Sequence, residues 1–147
     1  MYDVFVARLK CPNCDTVVPD AEIKTHIRNG SADGSALQVG FGFDRVDLDT
    51  ENILDTGYAL VNPPDANGPI RLLDVWICQQ CETEQWAIVE IIGQKIHSIE
   101  AVKLDRTTLE SVNFISDMNA DLLAQALQGE EPAMDKDCVE ILRRQLP

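Results

Sequence analysis

The sequence predicts an α+β fold: a mainly antiparallel β-sheet bearing two cysteine knuckles on hairpins, followed by C-terminal helices. Three observations predict it. Runs rich in Val, Ile, Phe and Trp, broken by Gly, Pro and Asn, dominate the first hundred residues and read as strands. Beyond Asp105 the pattern changes to apolar residues at helical spacing. Two C-x-x-C pairs, Cys11-Pro12-Asn13-Cys14 and Cys78-Gln79-Gln80-Cys81, each follow a β-prone run. Residues 1–104 are therefore expected to form a β-rich domain with a long insertion between the cysteine pairs. Residues 105–147 are expected to form a helical part packing on that same domain.

Val4 to Leu9 is β-prone and leads into the first pair; Ile70 to Ile77 leads into the second. Between them lie three weaker strand candidates, Leu37 to Phe43, Arg45 to Asp49 and Tyr58 to Asn62. The stretch Asn29 to Ser35 has loop composition, and Asn62 to Pro69 reads as a turn-rich connection because proline cannot donate to a ladder. Trp86 to Ile92 is almost wholly apolar, the mark of a central strand covered on both faces. Gly93-Gln94 then permits a type II′ hairpin turn into Lys95 to Val102. Thr107 to Ile115 fits helix and extended chain equally. Asn119 is placed to cap a helix over Ala120 to Gln128, with Leu122, Leu123, Ala126 and Leu127 on one side and Gly129 as its stop. A last helix is expected over about Asp135 to Gln145. These helices should cover one side of the sheet; an exposed apolar face on the last one would mark a docking surface instead.

Composition narrows the function. The chain has 147 residues, 45% of them hydrophobic, so it can enclose a core, and its 25 acidic against 12 basic residues give a formal net charge of -13. A pI near 4.3 argues against gripping phosphate backbones, which needs clustered Lys and Arg. The acidity is not a tail: both halves of the chain carry about twice as many acids as bases. No apolar run approaches the roughly 20 residues that cross a bilayer. The first ten residues lack an uninterrupted apolar stretch, so no secretory signal is expected and the cytoplasm is the expected compartment.

The cysteines carry the clearest chemistry. Two thiolates separated by two residues can turn inward at the tip of a tight hairpin, and two such pairs complete a tetrahedron around one ion. Cys11, Cys14, Cys78 and Cys81 are therefore the candidate metal ligands, with zinc the expected ion. Iron fits the same geometry, although rubredoxin-like pairs usually carry Gly next, where Asp15 and Glu82 stand here. Disulfides suit a secreted chain, and a thioredoxin-like pair needs a single C-x-x-C at a helix start. Four thiolates saturate the ion and leave no open position for water, so the metal's expected role is structural. Cys138 falls outside this set; with Met134, Ile141 and Leu142 it shares the apolar face of the last helix.

On these four cysteines the chain resembles a zinc ribbon, the family of two zinc knuckles borne on β-hairpins. The resemblance spans at most Val4 to Leu104, and the long insertion implies a ribbon joined to a larger sheet. The opening Met1-Tyr2-Asp3 with Cys-Pro-Asn-Cys also looks like small uncharacterised bacterial and phage-associated zinc-ribbon proteins. It implies a fold and a metal but no activity.

Other motifs are weaker. The run Asp44 to Glu51 invites a calcium reading, but it lacks an EF-hand's sixth-position Gly and twelfth-position Glu and reads as the solvated face of a strand. His26 and His97 have no nucleophile signature beside them. Gly40-Phe41-Gly42 lacks the third glycine of a dinucleotide loop. Trp76 and Trp86 are expected to shield the metal and fill core rather than to stack on bases. The resulting expectation is a non-catalytic, zinc-stabilised acidic interaction module, an accessory, adaptor or inhibitor of immunity type, that binds a basic protein partner. The alternatives are an enzyme with a structural zinc and an active site assembled elsewhere, and a nucleic-acid-binding zinc ribbon.

Overall fold

Alternation along the central strands builds a three-layer molecule. The computed structural model describes residues 2–28, 32–128 and 138–147. In chain order the strands and helices are β1 (Asp3–Lys10), β2 (Val17–Thr25), β3 (Ala36–Leu37), α1 (Thr50–Asp55), β4 (Tyr58–Leu60), β5 (Ile70–Cys78), β6 (Thr83–Ile92), β7 (Lys95–Val102), α2 (Arg106–Glu110), β8 (Phe114–Ser116), α3 (Asp117–Gln128) and α4 (Cys138–Gln145). They make a three-stranded sheet ordered β2-β1-β3 and a five-stranded sheet ordered β4-β8-β5-β6-β7. Pairing is antiparallel except β1 with β3 and β5 with β8. The predicted α+β class, mainly antiparallel with C-terminal helices, is the class observed.

Successive side chains of a strand point to opposite faces, and the five-stranded sheet buries both. Leu72 and Trp76 of β5, with Val89 and Ile91 of β6, meet Phe5, Leu9 and Ile23 of the small sheet. Leu73 and Ile88 point the other way, onto Leu109, Ala120, Ala124, Ile141 and Leu142 of the helices. The apolar run Trp86 to Ile92 thus lies on an interior strand, between β5 and β7. Trp76 lies in the core shared with Cys11 and Cys78, whereas Trp86 packs on the opposite, helical side. Their one link is the indole N–H of Trp76 donating to the Trp86 carbonyl at 3.2 Å. Only Trp76 therefore shields the cysteines.

Several local expectations are corrected. Val17–Thr25 is a full strand at the edge of the small sheet, despite Pro19. Between Ala7 and Leu9 of β1 the partner advances from Ala21 to Val18, so β2 carries an extra residue where Pro19 and Asp20 stand. An edge strand tolerates proline there because its N–H would find no partner. The acidic run is no strand: Arg45–Leu48 is a 3-10 turn and Thr50 begins α1, capped by Asp49 accepting from the Glu51 amide at 3.0 Å. Val46 is exposed and Asp47 buried, the reverse of the solvated-face reading. Leu37 to Phe43 shrinks to Ala36–Leu37. At Gly93 and Gln94 both φ angles are positive, 57° and 69°, the mark of type I′ rather than type II′. Thr107 to Ile115 divides into the end of α2 and the start of β8. Helix α3 begins at Asp117, ahead of the expected Asn119 cap. Asn29 to Ser31 and residues 129–137, which include Met134 and the expected start of the last helix, lie outside the described residues. From Cys138 onward α4 turns Cys138, Val139, Ile141 and Leu142 inward. Exposed apolar side chains belong instead to α3, at Met118 and Leu122. No helix among the described residues is long and apolar enough to cross a membrane.

A buried ion pair pins the start of the chain. Asp3 is fully buried and accepts from Arg28 Nε at 2.7 Å and Nη2 at 2.9 Å, and from the Gly34 amide at 3.0 Å. Arg28 also bonds Asp33 and lies over the Phe41 ring. The Arg28 hydrogen bonds hold the Asp3 carboxyl below its usual range. Its contribution is therefore complete above the ordinary carboxylate pKa and lost as pH falls through the depressed value. Removing one partner strands a buried charge. Arg28→Met is expected to cost about 3–5 kcal/mol in urea denaturation at neutral pH, and a loss below about 1 kcal/mol would show that the pair behaves as a surface contact.

Candidate metal centre and the buried carboxylate

The connection from β1 to β2 carries Cys11 and Cys14; Cys78 ends β5 and Cys81 lies in the turn from β5 to β6. The two strand pairs belong to different sheets, and their packing brings all four Sγ atoms within 4.8 Å of one another. Cys11 to Cys81 and Cys14 to Cys78 are each 3.7 Å apart, and none of the four is in a disulfide. Sulfurs bound tetrahedrally at about 2.3 Å stand about 3.8 Å apart; the two 3.7 Å pairs match that spacing, and the set as a whole is close enough to hold one metal ion. Every ligand the sequence predicted is in the cluster. It is the one group of three or more Cys, His, Asp or Glu among the described residues that converges this way; the acidic run from Asp44 to Glu51 does not.

The turn geometry accounts for the missing glycines. Asp15 and Glu82, each directly after the second cysteine of a pair, have φ of 62° and 56°. The backbone adopts the left-handed conformation that glycine supplies in rubredoxin-like turns, at a cost of roughly 1–2 kcal/mol per residue. The reward is donors aimed at sulfur: the Asn13 amide lies 3.4 Å from Cys11 Sγ, and the amides of Cys81 and Gln80 serve Cys78.

Two threonines complete the site, and residue typing by ligand spacing alone overlooks them. The sequence reads Cys-Asp-Thr at 14–16 and Cys-Glu-Thr at 81–83. The Thr83 hydroxyl is 3.0 Å from Cys81 Sγ, and the Gln85 side chain donates from Nε2 to the same hydroxyl oxygen at 2.8 Å, leaving its proton for the sulfur. Thr16 bonds Cys14 likewise and holds its thiol below the usual value. Thr83, then the Asn13 side chain, bring Cys81 down to about 6. At Cys78 the Cys81 and Gln80 amides favour the thiolate, but burial and the neighbouring sulfurs outweigh them and push it up to about 11. Four thiols this close cannot all ionise without a cation among them. A metal ion would supply that cation, and the donor set offers it nothing but sulfur.

The two histidines and Cys138, to which the sequence assigned no site, lie apart. His97 is exposed on β7, its Nε2 4.0 Å from Glu90, while His26 follows β2 with its ring edge-on to Tyr2. No contact joins the two histidines. Cys138 is buried on α4, as expected of a small apolar side chain.

A second constellation was not legible in the sequence. Asp74, midway along β5, is 4% exposed, and it accepts from the Tyr58 hydroxyl at 2.7 Å and the Val75 amide at 2.8 Å. Tyr58 in turn meets the Thr25 hydroxyl at 2.9 Å. The three residues come from β5, β4 and β2, so no local motif announces them. Asp74 lines a pocket of about 320 Å³ together with Thr25, His26, Ile77, Asp117 and Met118. Burial, opposed by the Tyr58 hydrogen bond, raises its carboxyl to about 6.

Comparisons with protein families, curated proteins and solved structures find no match to the chain. Chemistry alone therefore carries the reading of both sites.

Two measurements test this geometry. Thr16→Val and Thr83→Val should each weaken metal retention about 10-fold in competition with a chromophoric chelator, with the Ser variants close to wild type; unchanged affinity would remove the hydroxyls from the site. For Asp74 the folded state favours the protonated form, so its penalty is absent below the unfolded pKa and complete above about 6. The difference in stability between Asp74→Asn and wild type should accordingly grow from near zero at acid pH to about 3 kcal/mol in favour of the variant by pH 8. A pH-independent difference would contradict it.

Proposed function

We propose that the chain is a non-catalytic, zinc-stabilised acidic interaction module of zinc-ribbon type, acting in the cytoplasm on a basic protein partner. The observation that carries the metal role is the closed sulfur set. Cys11 and Cys78 are fully buried and no histidine or carboxylate joins the four thiols, which leaves no position for a reacting water. Zinc is the ion that four sulfurs in a tetrahedron hold without redox chemistry. Because the ligands come from two sheets, the energy of binding metal becomes energy of holding the sheets together.

The basic partner follows from charge. Acidic residues outnumber basic ones 25 to 12, and a field of one sign speeds and orients encounter with its opposite. An accessory subunit, an adaptor and an inhibitor of immunity type all use this property. An enzyme is the second reading, supported by the Asp74 pocket, where a buried carboxyl and His26 line one cavity. That reading requires turnover to vanish with Asp74→Asn while metal content is retained.

Metal analysis of the purified protein should return one zinc per chain. Chelation or Cys78→Ser should lower the thermal midpoint by at least several degrees, and unchanged unfolding after verified metal loss would sink the structural role. Pull-down from the native host should recover a basic protein that dissociates as salt rises. Repeated recovery of the chain alone, or saturable nucleic-acid binding in a gel shift at moderate salt, would overturn the module reading.

A further inference from the structure

The pocket between β2, β5 and the start of α3 is lined by none of the four cysteines and has a chemistry of its own. Asp74, which lines it, is more than nine-tenths buried. Each carboxylate oxygen has one neutral donor, Val75 N–H on one and Tyr58 O–H on the other, which leaves acceptor capacity on both. No cation pairs with it among the described residues: Arg28, Arg71 and Arg143 are engaged by Asp3, Glu90 and Glu110. Lys24, on the pocket wall, holds its ammonium 4.9 Å over the Tyr2 ring. The other acids lining the pocket, Asp117 and Glu84, are negative too, and Asp117 adds to the burden. A buried carboxylate normally has a counter-charge, because burying one alone is costly.

The mouth of the pocket has a different character. Ile77 is 58% exposed and Met118 71% exposed, two large apolar side chains on its rim. An acidic lining with an apolar rim matches a side chain with a cationic head and a hydrocarbon stem.

We propose that this pocket receives an arginine side chain of the basic partner, its guanidinium on Asp74 and Asp117 and its methylene stem between Ile77 and Met118. The proposal rests on the reading of the chain as an acidic interaction module and names the anchor that such a partner would insert. A guanidinium suits the site better than an ammonium, since it is planar, can meet a carboxylate with two N–H groups and is more weakly hydrated. A bare metal ion suits it less, because the carboxylates around the pocket do not converge as ligands in the way the sulfurs do. Arginine anchors of this kind are common among the few residues that dominate an interface.

The test uses the zinc-loaded, 15N-labelled protein and three blocked tripeptides, acetyl-Gly-X-Gly-amide, with X arginine, lysine or citrulline. The arginine peptide should give saturable shifts centred on the amides of Gly57, Val75 and Asp117 and bind at least 10-fold tighter than the citrulline peptide. Asp74→Asn should weaken it at least 10-fold. Met118→Trp, a surface change that leaves the buried groups untouched, should do the same by covering the mouth. Equal binding of the citrulline or lysine peptide, shifts that never saturate, or undiminished binding by both variants would overturn the pocket. If both variants still capture the basic partner as wild type does, the pocket fails and the wider module reading stands; if wild type captures none, the module reading itself fails.

Discussion

The convergence of four sulfurs is the constraint on which the other features of the molecule depend. Cys11 and Cys14 belong to the turn of the small sheet, and Cys78 and Cys81 to the end of β5 and the turn after it in the large one. Apolar contact between the sheets is non-directional and would tolerate sliding, since hydrophobic burial responds to area and not to register. A tetrahedron of sulfurs around one ion would not tolerate it. The site fixes β1 against β5 at one end of the sandwich, while the Thr25–Tyr58–Asp74 chain ties β2 to β4 and β5 across the same interior. Between these two polar ties lies Trp76, the largest fully buried side chain.

The fold and the metal site were legible to different degrees, for different reasons. The cysteine spacing survived because it is local chemistry: two residues between ligands is a property of the turn, wherever the turn comes to lie. The long strands were legible because their apolar content outweighs everything else in their windows. β2 was not, since Pro19 and the irregularity beside it interrupt the first half of Val17–Thr25, and only the second half, Ala21 to Thr25, alternates. β8 is three residues long and exists because neighbours on both sides supply its ladder. The acidic run misled because alternating charge has more than one cause. In a 3-10 turn the same residues point in a different order, so that Asp47 is the one turned inward.

Tyr58, Asp74 and Thr25 were invisible for a different reason. Each is an ordinary residue in an ordinary strand, and only tertiary packing makes them a set. The paired threonines after Cys14 and Cys81 form an intermediate case. The repetition of Cys, acid and Thr is present in the sequence, but its meaning depends on the left-handed backbone at Asp15 and Glu82, which directs each hydroxyl to its sulfur.

The position of β8 bears on how such a chain could be assembled as it is synthesised. Among the described residues β4 pairs with one strand, β8, which stands between it and β5 in the sheet. A nascent chain that has emerged as far as β7 already contains both strand pairs that carry the cysteines, together with Asp3 and Arg28. It still lacks residues 114–116, and without them β4 has no edge on which to form. The half of the sandwich that gathers the four cysteines can therefore close first on the ribosome, whereas the wall that holds Tyr58 against Asp74 must wait for the C-terminal third of the chain. The molecule would acquire its scaffold and its acidic pocket in that order.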